Sequence, residues 1–238
     1  MTTAIVSAMR EELSAVLALM PDERMQVVGG REFWLGHLHG QEVVAVLSRI
    51  GKVAAATTAT VLVERFAVQR IVFTGVAGGL APGVEVGDVV VADSFLQHDL
   101  DASPIFPRHE VPFYGLSRFP ANEALSARVA AAARQALPGV AVHRGLVVSG
   151  DRFVATTAES RALQSALPDA LAVEMEGAAF AQVCHDWGVP FAAVRTVSDR
   201  ADDAAHADFA RFVQEIASRY SAAIVASLLT ATSASRVS

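Results

Sequence analysis

The sequence is poor in the residues that anchor disulfides, zinc and nucleic acids. Its 238 residues include one cysteine, Cys184, and one lysine, Lys52. A lone cysteine excludes an intramolecular disulfide and a CxxC zinc site. The 19 Lys and Arg are scattered and outnumbered by 25 Asp and Glu, so the clustered positive surface that a nucleic-acid backbone demands is missing. No uninterrupted apolar run approaches the length of a membrane span, so the 53% hydrophobic content points to a large core. Arg10, Glu11 and Glu12 interrupt the apolar N-terminus too early for a secretory signal, and a soluble, cytoplasmic protein is expected. With only 18% charged residues, some apolar surface is expected to be buried against a second copy.

The hydrophobic pattern predicts alternating strands and helices. Ala4 to Ser7 reads as a strand and Glu11 to Met20 as a helix. Phe33 to Leu38 and Glu42 to Leu47 read as a hairpin turning at His39 and Gly40, and the Ala/Thr-rich Ala54 to Phe66 as a helix. Arg70 to Thr74 is a core strand expected to end at the run Gly75-Val76-Ala77-Gly78-Gly79, where Ala77 and Gly78 would let a ligand approach the backbone. Strands over Asp88 to Phe95, Val140 to Ser149, Ala170 to Val173 and Phe191 to Val197 follow. Helices are expected over Ala121 to Leu137, Thr157 to Leu167, Gly177 to Trp187 and Asp208 to Leu229. The expected fold is a single α/β domain spanning 1–238, a mixed sheet flanked by helices, with 230–238 as a frayed polar tail. The irregular, proline- and aromatic-rich stretch from His98 to Asn122 reads as a lid or interface loop. Its HDLD start could be a metal site, but no further His or Cys gathers nearby, and a polar turn explains it as well.

The unusual polar residues fall at strand ends. In Leu171 to Gly177, LAVEMEG, Glu174 and Glu176 flank Met175 among small apolar residues. A carboxylate in such surroundings is expensive unless something holds it, so the pair marks a polar ligand, or else one caps the next helix and the other is solvated. Glu12 follows the first strand, Phe153 the Ser149 strand and Asp199 the Val197 strand. If most strands are parallel, these residues converge on one rim. Glu12 would favour a helix N-terminus whatever else it does, and Asp199 could cap a turn. Cys184 and His185 are adjacent on a predicted helix and point apart, which argues against a nucleophile and base pair. Carboxylates at different depths, one kept protonated and one ionised, suit cleavage of a glycosidic bond in a hydroxylated substrate.

Six segments carry a family likeness. AMREE (Ala8 to Glu12), IGKVAAA (Ile50 to Ala56), TGVAGGL (Thr74 to Leu80), SGDRF (Ser149 to Phe153), AVEMEG (Ala172 to Gly177) and RTVSD (Arg195 to Asp199) occur in order over nearly the whole chain. Together they resemble the 5′-methylthioadenosine/S-adenosylhomocysteine nucleosidases of the nucleoside phosphorylase superfamily. The resemblance implies a nucleoside phosphorylase-like homodimer that hydrolyses adenine from a 5′-thio-substituted ribose without metal or cofactor. It makes Asp199 the acid that protonates the purine and Glu12 the residue that activates water. Glu176 would bind the ribose hydroxyls, with Met175 beneath the sugar and Glu174 in support. Phe153 would stack on adenine beside Val154, and Ser198 and Arg195 would orient Asp199 and the water. Met9, Ile50 and Phe209 would line the 5′ end, joined by Ala102 and Ile105 of the partner subunit.

Two departures from that pattern stand out. Val76 replaces a serine common in relatives, and the Ser103 to Pro120 loop differs from the family's short aromatic loop. Three alternatives stay open: a purine nucleoside phosphorylase, a hydrolase of an adenosylated menaquinone precursor such as aminofutalosine, and a non-catalytic nucleoside sensor.

Overall fold

The N-terminal apolar run forms β1 (Thr3–Ser7), buried throughout and lying parallel between β4 (Gln41–Leu47) and β5 (Arg70–Gly79). It belongs to a mixed ten-stranded sheet in the computed structural model of the chain, which describes residues 1–202, 212 and 216–234. β3 (Arg31–Leu38) pairs antiparallel with β4 as the expected hairpin, and β2 (Arg24–Val28) adds an outer strand. On the other side of β5 lie β10 (Phe191–Asp199), β6 (Val89–Gln97), β8 (Val142–Ser149) and β9 (Ala170–Glu174). Because β10 also pairs with β5, this half of the sheet closes into a small barrel. The short β7 (Phe119–Pro120) hangs on β6.

Strand periodicity sorts the core. Along β5, Ile71 and Phe73 face one apolar layer and Val72 the opposite one; along β10, Phe191 and Ala193 alternate likewise with Ala192 and Val194. The first layer is covered by α2 (Lys52–Phe66) and α5 (Gly177–Trp187), whose alanines let them lie close to the sheet. The second is covered by α1 (Arg10–Leu17), α3 (Glu123–Ala136) and α6 (Ser218–Ala234). Local chemistry sets the helix starts. The Asn122 side chain accepts the Leu125 amide at 3.0 Å ahead of α3, and Thr156 accepts the Glu159 amide at 3.3 Å ahead of α4 (Thr157–Ala166).

Among the described residues, two boundaries differ most from the sequence reading. β5 does not stop at Thr74 but runs through the glycine stretch to Gly79, because it changes partners: β1 covers Arg70 to Thr74, and β9 takes up Gly78 and Gly79. The glycines make room for neighbouring side chains. A Cβ on Gly75 would meet the Arg195 guanidinium at 3.4 Å, and one on Gly78 would meet Asp199 Oδ1 at 3.0 Å. At the other end, α6 continues through Ala234, into the stretch read as a frayed tail.

Glycine packing gives a direct test of this core. A Cβ on Gly177 would lie 2.7 Å from the buried Phe95 ring, whereas one on Gly145 would meet the flexible tip of Leu171. Gly177→Ala is expected to destabilise by about 1–3 kcal/mol and Gly145→Ala by well under that range. Denaturant melts of the two variants check the ranking, and equal midpoints would contradict the packing described.

Candidate active site

The carboxyl ends of β5, β8, β9 and β10 and the turn after β1 open onto one cavity of about 370 Å³. Its wall is built from Val76, Ala77 and Gly78 of β5, Phe153 and Val154 after β8, Glu174 to Glu176 after β9, and Ser198 and Asp199 of β10. Ala8, Met9, Ile50 and Arg152 complete it. The strand ends do not meet along one parallel rim: β5 and β10 run parallel to each other, as do β8 and β9, and the two pairs meet antiparallel where Gly78 and Gly79 lie beside Val173 and Ala172.

Beneath the cavity lies a buried guanidinium. Arg195 occupies an apolar row of β10, 1% exposed, with its guanidinium 4.1 Å from the centre of the Phe73 ring. Burial on that scale requires partners. Nη2 donates to Glu174 Oε2 at 2.8 Å, and Nη1 donates to the carbonyls of Phe73 at 3.1 Å and Val194 at 3.2 Å. Glu174 is held from every side: Ser149 Oγ donates to Oε1, and the Glu176 and Gly177 amides donate to the carboxylate at 2.8–3.2 Å. Ser149 Oγ in turn accepts the Ala178 amide at 2.8 Å. Glu174 thus fastens the entry of α5 to the core and neutralises Arg195.

The other two glutamates are held less tightly. Glu12 is fully buried on the first turn of α1, accepting the Met9 amide at 3.3 Å and Ser221 Oγ at 3.4 Å. Burial pushes its pKa up from 4.5 to about 7, against the lowering pull of Arg195. Glu176 lies in the cavity wall with Oε1 accepting the Gly51 amide at 2.8 Å. Burial, aided by the adjacent Glu174, raises it to about 7 as well, opposed by the Gly51 amide and Arg195. Asp199 is fixed by Ser198 Oγ at 2.7 Å on Oδ2 and by the Ala201 amide at 2.8 Å on Oδ1. Glu176 and Asp199 thus stand in the cavity wall in unlike environments, the arrangement that separates acid from base roles, whereas Glu12 is not a wall residue but is bonded to the amide of one, Met9.

The remaining expected residues divide. Met9, Ile50, Ala77, Gly78, Phe153, Val154, Met175 and Ser198 all line the cavity, with Phe153 38% exposed. Arg195 is engaged by Glu174 and biases Glu12. Ala102 and Ile105 are not in the cavity wall of their own chain, and Ile105 is 83% exposed. Phe209 lies outside the described residues. In the HDLD turn, Asp99 receives Lys52 Nζ at 2.6 Å and the Asp151 amide at 2.8 Å, and Asp101 receives the Ser103 amide at 3.0 Å. Arg118 makes a bidentate pair with Asp169 at 2.6 and 3.1 Å. Cys184 is buried, its thiol pushed up to about 12.

Four participants escaped the sequence reading. Gly51, Ser149 and Ser221 act through an amide or a hydroxyl brought in by tertiary structure, with no local signal for it. Arg152, in the cavity wall and paired with Glu159, could have been flagged from its place in SGDRF.

The sequence profile of the Phosphorylase superfamily matches residues 2–230. A 5′-methylthioadenosine/S-adenosylhomocysteine nucleosidase of Geobacillus thermodenitrificans is 39% identical over 232 residues, 97% of each chain. The chain belongs to this nucleosidase family of the phosphorylase superfamily. Among solved structures of the family, the Neisseria meningitidis nucleosidase in complex with methylthio-immucillin-A is 36% identical, covers 97% of this chain and 99% of its own, and has a TM-score of 0.92. A futalosine hydrolase of Helicobacter pylori is 34% identical, with coverage of 96% and 97% and a TM-score of 0.89. The mixed α/β fold of this chain is that of the nucleosidase family. Of its two departures from the family pattern, Val76 faces the cavity. The 103–120 loop is pinned at its far end by Phe119, buried against Tyr114, whose hydroxyl donates to Asp186 at 2.9 Å.

The raised pKa of Glu12 has a thermodynamic signature. A carboxyl whose folded pKa exceeds its unfolded value makes the protein lose stability as pH rises from about 4.5 through 7, because the folded state then holds a proton that the unfolded state has released. Glu12→Gln does not titrate, so its stability relative to wild type should increase between pH 5 and pH 8 by roughly 3 kcal/mol. Denaturant unfolding at the two pH values measures it, and a constant difference would show that Glu12 is not held protonated by burial.

Proposed function

We propose that the protein hydrolyses the N-glycosidic bond of adenine nucleosides with a 5′-thio substituent, 5′-methylthioadenosine and S-adenosylhomocysteine, releasing adenine and the substituted ribose. The observation that carries the reading is a pair of buried carboxylates in one cavity wall, Glu176 near neutrality and Asp199 hydrogen-bonded on both oxygens, with Glu12, also near neutrality, bonded to the amide of the wall residue Met9. In this reading Asp199 donates a proton to adenine as the bond to the sugar breaks. The Ser198 hydroxyl and the Ala201 amide fix the orientation of its carboxyl group. Glu12, ionised, takes a proton from the attacking water, and a pKa near 7 suits a base working at neutral pH.

Glu176 accepts hydrogen bonds from the ribose diol, oriented by the Gly51 amide, while Met175 lies beneath the ring. Phe153 provides the stacking face for adenine, and Met9 and Ile50 suit an alkylthio group. The relatives named above support the substrate class, and the Neisseria complex with a methylthio-immucillin supports the adenosine-like shape of the ligand. The reading includes a homodimer in which Ala102 and Ile105 of the partner subunit close the 5′ pocket. The outward Ile105 and Phe113 side chains are suited to such a contact. It also includes a cytoplasmic role in nucleoside catabolism and methionine salvage.

A second reading, hydrolysis of a futalosine-type nucleoside, is favoured by the Helicobacter neighbour and by the altered 103–120 loop. Comparing kcat/KM on methylthioadenosine, adenosylhomocysteine and aminofutalosine, each without phosphate, separates the two. The first reading predicts thionucleosides at least about tenfold ahead, a difference of one extra favourable contact. A reversed order would select the second reading, and turnover only on added phosphate would replace hydrolysis by phosphorolysis. Asp199→Asn is expected to lower kcat by at least about 100-fold, the usual size of a general-acid contribution, while ligand binding stays measurable. Near-wild-type turnover in that variant would remove Asp199 as the acid.

A further inference from the structure

The only lysine of the chain and the HDLD turn are not used by the chemistry above, yet they meet beside it. Lys52 Nζ donates to Asp99 Oδ1 at 2.6 Å and to Gln97 Oε1 at 3.2 Å, and lies 4.0 Å from Asp151 Oδ2. The Lys52 amide donates to Asp151 Oδ1 at 2.7 Å, and the Asp151 amide donates to Asp99 Oδ2 at 2.8 Å. Three segments that are far apart in sequence, the start of α2, the end of β6 and the loop after β8, are thus joined by one cation and two carboxylates. The Lys52 side chain is only 16% exposed, so its charged hydrogen bonds are partly shielded from water. Space at the junction is tight. Gly51 has φ +94°, and a Cβ there would also lie 3.1 Å from Asp151 Oδ1. A Cβ on Gly150 would run into the His98 ring, and the His98 amide donates to the Ser149 carbonyl at 3.0 Å.

Each joined segment supplies part of the cavity. The residue before Lys52 is Gly51, whose amide is the donor to Glu176 Oε1, and Ile50 precedes it in the cavity wall. The residues after Asp151 are Arg152, Phe153 and Val154, also in the wall. We propose that Lys52, through Asp99 and Asp151, is a positioning residue that holds the Gly51 amide on the Glu176 carboxylate and ties the sugar side of the cavity to its Phe153 side. The proposal rests on the reading of Glu176 as the acceptor of the ribose hydroxyls.

The clamp acts on Glu176 through geometry. The groups acting on that carboxylate are Glu174, which raises its pKa, and Arg195 and the backbone at Gly51 and Met175, which lower it. Loosening Gly51 removes one of the lowering influences. Glu176 would then hold its proton to higher pH and accept less well from a diol at neutrality. The expected mark is a KM effect whose pH dependence moves toward the alkaline side.

Lys52→Met, Lys52→Arg and Asp99→Asn test this in the full-length protein. Amide hydrogen exchange by NMR should quicken at both Gly51 and Asp151 in Lys52→Met and in Asp99→Asn, by about tenfold for loss of a charge-assisted anchor. Lys52→Arg should restore most of the protection. With methylthioadenosine at pH 7, KM should rise by about tenfold in the first two variants while kcat falls much less, the pattern of lost ground-state binding. The acid limb of 1/KM should shift to higher pH. Unchanged exchange at Gly51 in both Lys52→Met and Asp99→Asn would overturn the clamp, as would altered exchange with an unmoved KM profile. A fall confined to kcat, with no rescue by arginine, would also count against it. If wild-type protein proves inert toward methylthioadenosine, the substrate reading fails alone, and the exchange measurements still decide the clamp.

Discussion

The site depends on how a guanidinium is kept inside the protein. Arg195 stands in a row of β10 whose neighbours are apolar, and an unpaired charge there would be strongly destabilising. Its partner Glu174 is fixed by Ser149 and by the amides that begin α5, so one ion pair locks β8, β9, β10 and α5 to each other. The pair also sets the electrostatics above it. Arg195 draws the pKa of Glu12 and Glu176 down while burial drives both up, and the balance leaves each near neutrality.

The fold serves this arrangement by bringing strand ends together. β5 exchanges β1 for β9 along its length, which bends the sheet into a barrel and turns the end of β9 toward the end of β10. Glycines on β5 are what permit the Arg195 and Asp199 side chains to cross it closely. The result is a cavity lined mainly by apolar groups with Glu174, Glu176 and Asp199 set among them, a setting in which a few hydrogen bonds can direct proton transfer.

Much of this was legible in the sequence. Helices and strands announced themselves through their hydrophobic pattern, as with Glu11 to Met20 and the core strand Phe191 to Val197. Polar residues at strand ends, Glu12, Glu176 and Asp199, stood out because their surroundings were apolar. The glycine run was read as lying beyond the end of the strand, since local propensity says nothing about a strand that needs empty space for a neighbour's side chain. The Arg195 to Glu174 pair, the Gly51 amide on Glu176 and the Ser221 hydroxyl on Glu12 were invisible for a related reason. They join residues distant along the chain, through groups that every residue or many serines possess. Knowledge of the family supplied roles that composition and spacing left open, the split between Glu174 and Glu176 among them.

Burial holds Glu12 near neutrality, and in the proposed reaction proton loss from this carboxyl makes it a base. The most direct measurement is the pH dependence of kcat/KM for wild-type protein on methylthioadenosine, which reports the ionisations of the free enzyme. An acid limb is expected, with kcat/KM rising as pH increases from 5 toward about 7. A profile that stays flat from pH 7 down to pH 5 would contradict it, since the base would then be ionised throughout and burial would not be setting its proton affinity.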